Sequence, residues 1–178
     1  KWIKTENFKF NEKIYLMIKK IFILVILTNA LLTNSYSAGS ENDSSKTGSN
    51  YDKAISLIKS AKKYEKKDKK GKAIKNYEKA HKLLVKSNNK KPNDADTLNY
   101  LGFTTRKLGD FVNGEKYYLQ GLAINPKHNG INEYLGELYV ATNRMSLAME
   151  RLEVLKNCNC EEFNDLKEVI EGTKKSKY

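Results

Sequence analysis

Leu101-Gly102 recurs as Leu135-Gly136, 34 positions later, and this self-similarity limits what the chain can fold into more than any other feature. A fixed offset of this length marks an array of small helical units, none of which can bury its own apolar face alone. The same offset carries Leu98 to Asn132, Thr105 to Tyr139, Lys107 to Ala141, Gly109 to Asn143, Gly114 to Ala148, Tyr118 to Leu152 and Gly121 to Leu155. Several of these pairs keep size or polarity and several do not. Leu98, Leu101, Gly102 and Thr105 stand at i, i+3, i+4 and i+7, which places them on one face of a helix. The pattern predicts a first helix from Ala95 to about Leu108, a turn at Gly109-Asp110, and a second helix from Phe111 to about Ile124 that Pro126 stops. Gly102 would let a neighbouring helix approach closely, and Gly114, Tyr118 and Gly121 make an opposing small-large-small stripe.

The stretch ADTLNYLGFTTRKLGDFVNGEKYYLQGLAINP, from Ala95 to Pro126, resembles the tetratricopeptide repeat (TPR) family. In that family a Leu or aromatic, a Leu-Gly pair, a small residue, an aromatic and a terminal Pro recur at set positions. Leu98, Leu101, Gly102, Gly114, Tyr118 and Pro126 fall on them here. The next repeat runs from Asn129 to about Lys156, with Leu135, Gly136, Tyr139, Ala148, Leu152 and Leu155 in the matching slots and Cys160 in the proline slot. The first repeat is degenerate: Leu57, Ala61, Tyr64, Ala73, Tyr77 and Ala80 fit, but Ser60 replaces Leu and Pro92 arrives seven residues late. Two extra helical turns through Leu83, Leu84 and Val85 account for the delay. Phe163, Leu166 and Ile170 then keep helical spacing behind two acids and before Gly172, as a capping helix would.

The resemblance implies an all-α solenoid of three helix-turn-helix repeats (about 51–92, 93–128 and 129–157) with a cap at 161–171 and a frayed basic tail at 173–178. The segment Cys158-Asn159-Cys160-Glu161-Glu162-Phe163 is also similar to the end of small exported bacterial TPR proteins, although the cysteines there usually stand further apart. The resemblance further implies a concave groove lined by first-helix residues pointing away from the packed stripe. Those are Asp96, Asn99, Phe103, Arg106 and Lys107 in the second repeat and Glu133, Glu137 and Val140 in the third, with Ile55, Ile58, Lys62 and Lys66 in the first. TPR domains that clamp a C-terminal carboxylate place Lys and Asn at fixed groove positions. Ile58, Lys62 and Tyr100 stand there instead, leaving a mixed-charge groove with Phe103 as its apolar anchor.

Upstream of the repeats, Met17-Ile18-Lys19-Lys20 precedes the apolar run Ile21 to Leu27, and a small-residue stretch surrounds Ser37 and Ala38. This is the pattern of a secretory leader spanning residues 17–37, with cleavage expected after Ser37. An uncleaved membrane anchor is the competing reading, but Thr28 and Asn29 interrupt the apolar run, which falls short of the ~18–20 residues a span needs. Residues 1–16 read as an upstream extension of a frame that starts at Met17. Residues 38–50 are expected to be a disordered linker, since Gly39 to Asn50 holds no hydrophobic residue. A leader of this kind points to export, most simply to a bacterial periplasm.

The formal net charge of +12 suggests a polyanion only if it is spread along one face. It is local. Residues 51–92 hold 15 lysines against 4 acids, whereas residues 93–178 hold 11 basic residues against 13 acidic ones. The basic segment reads as a solvated helix face or, alternatively, as an anion-binding surface for an acidic partner or a membrane headgroup. Nucleic acid fits poorly, because no basic motif interleaved with aromatics is present.

Nucleotide-binding glycine loops, Gly-x-Ser-x-Gly and His-Glu-x-x-His are all missing from the sequence. His81 and His128 have no nucleophile or ligand set nearby in sequence, so no cofactor is expected. Cys158 and Cys160 are the two cysteines. They are open to a bridge, to free or intermolecular thiols, or to a redox or soft-metal role. The expectation is a non-catalytic scaffold that binds another protein or peptide in its groove. The alternative is an accessory protein held on a membrane or polyanion by its basic first repeat.

Overall fold

The structure, a computed structural model, describes residues 49–176. The upstream extension, the leader, residues 38–48 of the linker and the last two tail residues lie outside the described residues. Seven helices occur among the described residues: α1 (Asn50–Glu65), α2 (Lys70–Lys90), α3 (Ala95–Lys107), α4 (Phe111–Ile124), α5 (Asn129–Ala141), α6 (Met145–Leu155) and α7 (Glu161–Ile170). They form an all-α solenoid of helical hairpins: α1 pairs with α2, α3 with α4 and α5 with α6, each hairpin packs on the next, and α7 lies on α5 and α6. No helix among the described residues is long and apolar enough to cross a membrane.

Local chemistry places the helix starts. Ser49 caps α1 reciprocally: its Oγ accepts from the Asp52 backbone N–H at 3.2 Å, and the Asp52 carboxylate accepts from the Ser49 N–H at 3.0 Å. This box corrects the linker expectation at its end, since it brings Ser49 and Asn50 into the helical start. Asp94 and Asp110 cap α3 and α4 by accepting from Thr97 and Asn113 at 2.9 and 3.0 Å. Those hydrogen bonds hold both carboxyls below the usual range. The turns inside the second and third hairpins use Gly109 (φ 93°) and Asn143 (φ 58°). These positions are 34 apart, and both need the left-handed backbone that Gly and Asn adopt most readily.

Small residues then set how closely helices meet. A Cβ on Gly102 would lie 2.5 Å from Tyr118, and one on Gly114 would lie 3.2 Å from the Gly102 carbonyl oxygen. Each glycine therefore admits the partner helix of its own hairpin. Gly121 opens onto Ile131 of the following repeat, and a Cβ on Gly136 would lie 2.5 Å from Leu166 of the cap. Leu98, Leu101, Tyr118, Leu135, Tyr139 and Ala148 are all buried, as the register requires. Pro126 is exposed. It ends α4 without entering the packing, and its carbonyl accepts from Asn132 Nδ2 at 3.1 Å. Asn132 occupies the slot of Leu98 yet is fully buried. It also donates to the His128 carbonyl and accepts from Arg151, so all its polar groups are engaged.

The tail departs from expectation over its described part. Gly172, at φ 72°, turns the chain back. Lys174 pairs with Asp165 and Glu168, and Ser176 Oγ donates to Glu137 Oε2 at 3.2 Å. This part of the tail is seated on α7 and α5, because acidic side chains there meet its lysine and hydroxyl.

Candidate functional site

The first helices of the three hairpins present one face side by side, and the repeat register decides what stands there. Lys62, Phe103 and Glu137 occupy equivalent positions on α1, α3 and α5. The Lys62 ammonium lies 4.7 Å from the centroid of Phe103 and 5.8 Å from that of Tyr134. Phe103 packs on Tyr77 at 5.8 Å and on Tyr134 at 5.1 Å between centroids. It is 1% exposed, so it belongs to the groove wall and is not a surface anchor. The rings and the lysine stem that enclose it come from other helices, which its own sequence context does not reveal.

Arg106 and Glu137 are also withdrawn from solvent. Arg106 Nη1 donates to the Tyr134 carbonyl at 2.7 Å, and Nη2 lies 3.7 Å from Glu137 Oε2. Burial pushes the guanidinium down to about 10, so it remains charged at neutral pH. Lys107 pairs with Glu65 at 2.6 Å, and Glu65 also accepts from the Tyr77 hydroxyl at 2.9 Å. Val140 is half-buried at the end of α5. The lower half of the groove is thus knitted by ion pairs between repeats.

The upper half is open. A cleft of about 670 Å³ lies at the N-terminal ends of α1, α3 and α5, and the first turn of α7 reaches it. Its lining includes Tyr51, Asp96, Asn99, Tyr100, Glu133 and Glu162, with Tyr134 beside them. Tyr51 and Tyr100 meet edge to face at 6.0 Å. Burial first, and then the Asp96 carboxylate, push both phenols up, so their hydroxyls stay protonated. Asp96 accepts from His128 Nε2 at 3.0 Å. His128 Nδ1 accepts from the Ile131 N–H at 3.2 Å as the N-cap of α5, which assigns the neutral ring's proton to Nε2. Asn99 is 5% exposed, and its Oδ1 has no hydrogen-bond partner.

Of the residues expected to line the groove, the open cleft gathers Asp96, Asn99 and Glu133; Phe103, Arg106, Lys107 and Glu137 lie in the knitted half. Sequence reasoning missed Tyr51, Tyr100, Tyr134, His128 and Glu162. A signal existed for two of them, since Tyr100 and Tyr134 stand 34 apart and occupy one slot. Cys158 and Cys160 lie outside the cleft and are joined by a disulfide, with Cα atoms 5.2 Å apart, at the connection of α6 to α7. No group of three or more metal-ligating side chains occurs among the described residues.

No family model matches the chain, and the comparison with curated proteins finds no match. Among solved structures, the chain is similar to the first TPR domain of Spaghetti (RPAP3) bound to the HSP90 peptide SRMEEVD. That likeness is at 20% identity with a TM-score of 0.49, covering 70% of this chain and 96% of that one.

Proposed function

We propose that the chain is a non-catalytic scaffold that holds a peptide or an extended protein segment in the cleft at the N-terminal ends of α1, α3 and α5. The observation that carries the reading is the cleft's construction: three successive hairpins and the cap all contribute side chains to one concavity. A surface assembled from separate repeats suits an elongated ligand, which can touch each repeat in turn. Its aromatic residues offer the large, stiff contact area that peptide recognition favours. The leader pattern and the disulfide support action in an oxidising compartment outside the cytoplasm, most simply a periplasm.

The test is selection of a phage-displayed peptide library on the full chain. Recovered peptides should lose binding to Tyr100→Leu and Asp96→Asn but not to Val112→Ser, which changes an exposed side chain (68%) on a second helix of the array. Peptides that bind all variants equally would remove the cleft from the reading. Binding that collapses with salt and needs only the lysines of α2 would favour the electrostatic alternative.

A further inference from the structure

The cleft has a charge opposite to that of the chain. Asp94, Asp96, Glu133 and Glu162 line it together with one lysine, Lys127, although the chain carries +12 overall; Asp94 is already paired with Lys91 at 3.0 Å, so Asp96 and Glu162 are the carboxylates that face a ligand. Two phenol rings, Tyr51 and Tyr100, complete its walls beside Tyr134, which Lys62 and Arg106 already engage, and the face of an aromatic ring attracts cations. Asn99 adds an independent sign: it is among the residues lining the cleft, it is 95% buried, and its Oδ1 is an acceptor without a partner. A buried acceptor left unmatched is costly, and a ligand that brings an N–H to it recovers that cost.

Resting on the groove reading above, we propose that this cleft selects a cationic side chain, a lysine or arginine carried on the bound segment. Such a side chain would lay its methylenes against Tyr100 and Tyr51 and direct its charge toward Asp96 and Glu162. Its N–H groups would reach Asn99 Oδ1. The lower half of the same groove already uses this chemistry internally. Lys62 stands over Phe103 and Tyr134, and Arg106 lies 5.9 Å from the centroids of Tyr118 and Tyr134. An acidic ligand would meet the Asp96 and Glu162 carboxylates in the upper half, where Lys127 is the one lysine among the lining residues.

The experiment measures fluorescence anisotropy of the full chain with two labelled probes, acetylated tetralysine amide and acetylated tetraglutamate amide. Tetralysine should bind, and the double variant Asp96→Asn, Glu162→Gln should weaken it by about fivefold or more, two carboxylates having been neutralised. Asn99→Leu and Tyr100→Leu should each weaken it as well, while Glu150→Gln, a solvent-facing carboxylate outside the cleft, should not. Asp96 is 69% exposed, so its variant is expected to melt like the parent, and thermal melts of every variant check this. Absence of tetralysine binding, or tetralysine binding unchanged in the double variant, overturns the proposal. Tetraglutamate binding that Tyr100→Leu abolishes would keep the groove as the ligand site and reverse the ligand's charge. Tetraglutamate binding indifferent to Tyr100→Leu would report the lysine-rich helices and leave the tetralysine result to decide.

Discussion

Gly136 on α5 and Leu166 on the cap are in such close contact that the smallest side chain at Gly136 would place its Cβ 2.5 Å from Leu166 Cδ2. Leu166 is fully buried, so it has little room to withdraw. In the second repeat the equivalent glycine, Gly102, receives Tyr118 of its own hairpin. In the third, Leu152 stands in the tyrosine slot, and it is a leucine from the following helix that reaches the glycine.

This contact gives the first prediction. Gly136→Ala should lower stability by about 1–3 kcal/mol through overpacking, and adding Leu166→Ala to it should cost less than the roughly 2–5 kcal/mol of an ordinary core truncation, because the methyl groups removed are those the new Cβ displaces. Gly71, in the first turn of α2, has nothing within 4 Å of the place a Cβ would take. There the substitution Gly71→Ala should raise stability by up to about 1 kcal/mol, the gain from a better helix former at an open position. Urea unfolding of the three variants checks the opposite signs. Equal effects at Gly71 and Gly136 would mean that the cap does not press on α5.

The hairpins and their register were legible in the sequence because they rest on residue size at fixed spacing. Gly102, Gly114 and Gly136 must be small, and the turn positions Gly109 and Asn143 must tolerate positive φ; both requirements are written in residue identity. The groove was less legible. Counting positions on α3 places Phe103 on the concave face correctly, but whether it is exposed depends on Lys62, Tyr77 and Tyr134, which arrive from three other helices. The open cleft was missed for a related reason. Tyr51 precedes the recognisable repeat positions, Glu162 belongs to the cap, and Tyr100 stands at a clamp position where its type argues only against carboxylate binding. The seating of Lys174 and Ser176 depends on where α7 and α5 bring Asp165 and Glu137, and spacing in the tail carries no trace of it.

A second prediction concerns Tyr118. Its ring fills the space above Gly102, yet its hydroxyl is buried without a hydrogen-bond partner. Tyr118→Phe keeps the ring and removes the orphaned group, so it should be neutral or should stabilise the fold by about 1 kcal/mol. A rise in the urea midpoint with unchanged slope is the expected result. A loss above about 1 kcal/mol would show that the hydroxyl is bonded in solution.

A third prediction follows from His81, half-buried on α2 against the hydroxyls of Thr104 and Thr105 at 3.2 and 3.3 Å. Burial pushes its imidazole below the ordinary value of 6.5. Folding therefore favours the neutral ring. Well above pH 6.5 both states are neutral and the group contributes no pH dependence. As pH falls through that value the unfolded chain takes up the proton first, so stability is lost down to the lower folded pKa. His81→Gln should flatten the fall between about pH 7 and 5 while leaving the steeper loss that begins lower, where the capping carboxylates Asp94 and Asp110 are protonated. Identical pH profiles for the two proteins would contradict the assignment.

The last prediction addresses what couples the second repeat to the third. Arg106 on α3 and Glu137 on α5 are both fully withdrawn from water, with Nη2 and Oε2 3.7 Å apart, and Arg106 also donates to the Tyr134 carbonyl. Removing one charge leaves the other buried against an environment arranged for its opposite. Arg106→Leu and Glu137→Leu should therefore each cost about 3–5 kcal/mol. Changing both residues to leucine abolishes the desolvation of two ions at once and lets apolar side chains fill the space. The double variant should thus lose clearly less than the sum of the singles, with a coupling in the range of about 0.5–3 kcal/mol. Because the pair joins neighbouring hairpins, hydrogen exchange in each single variant should rise in both α3 and α5, not only in the mutated helix. Additive losses, or exchange confined to one helix, would mean that apolar contacts such as Ile131 against Gly121 hold the repeats together and that the ion pair only shapes the groove floor.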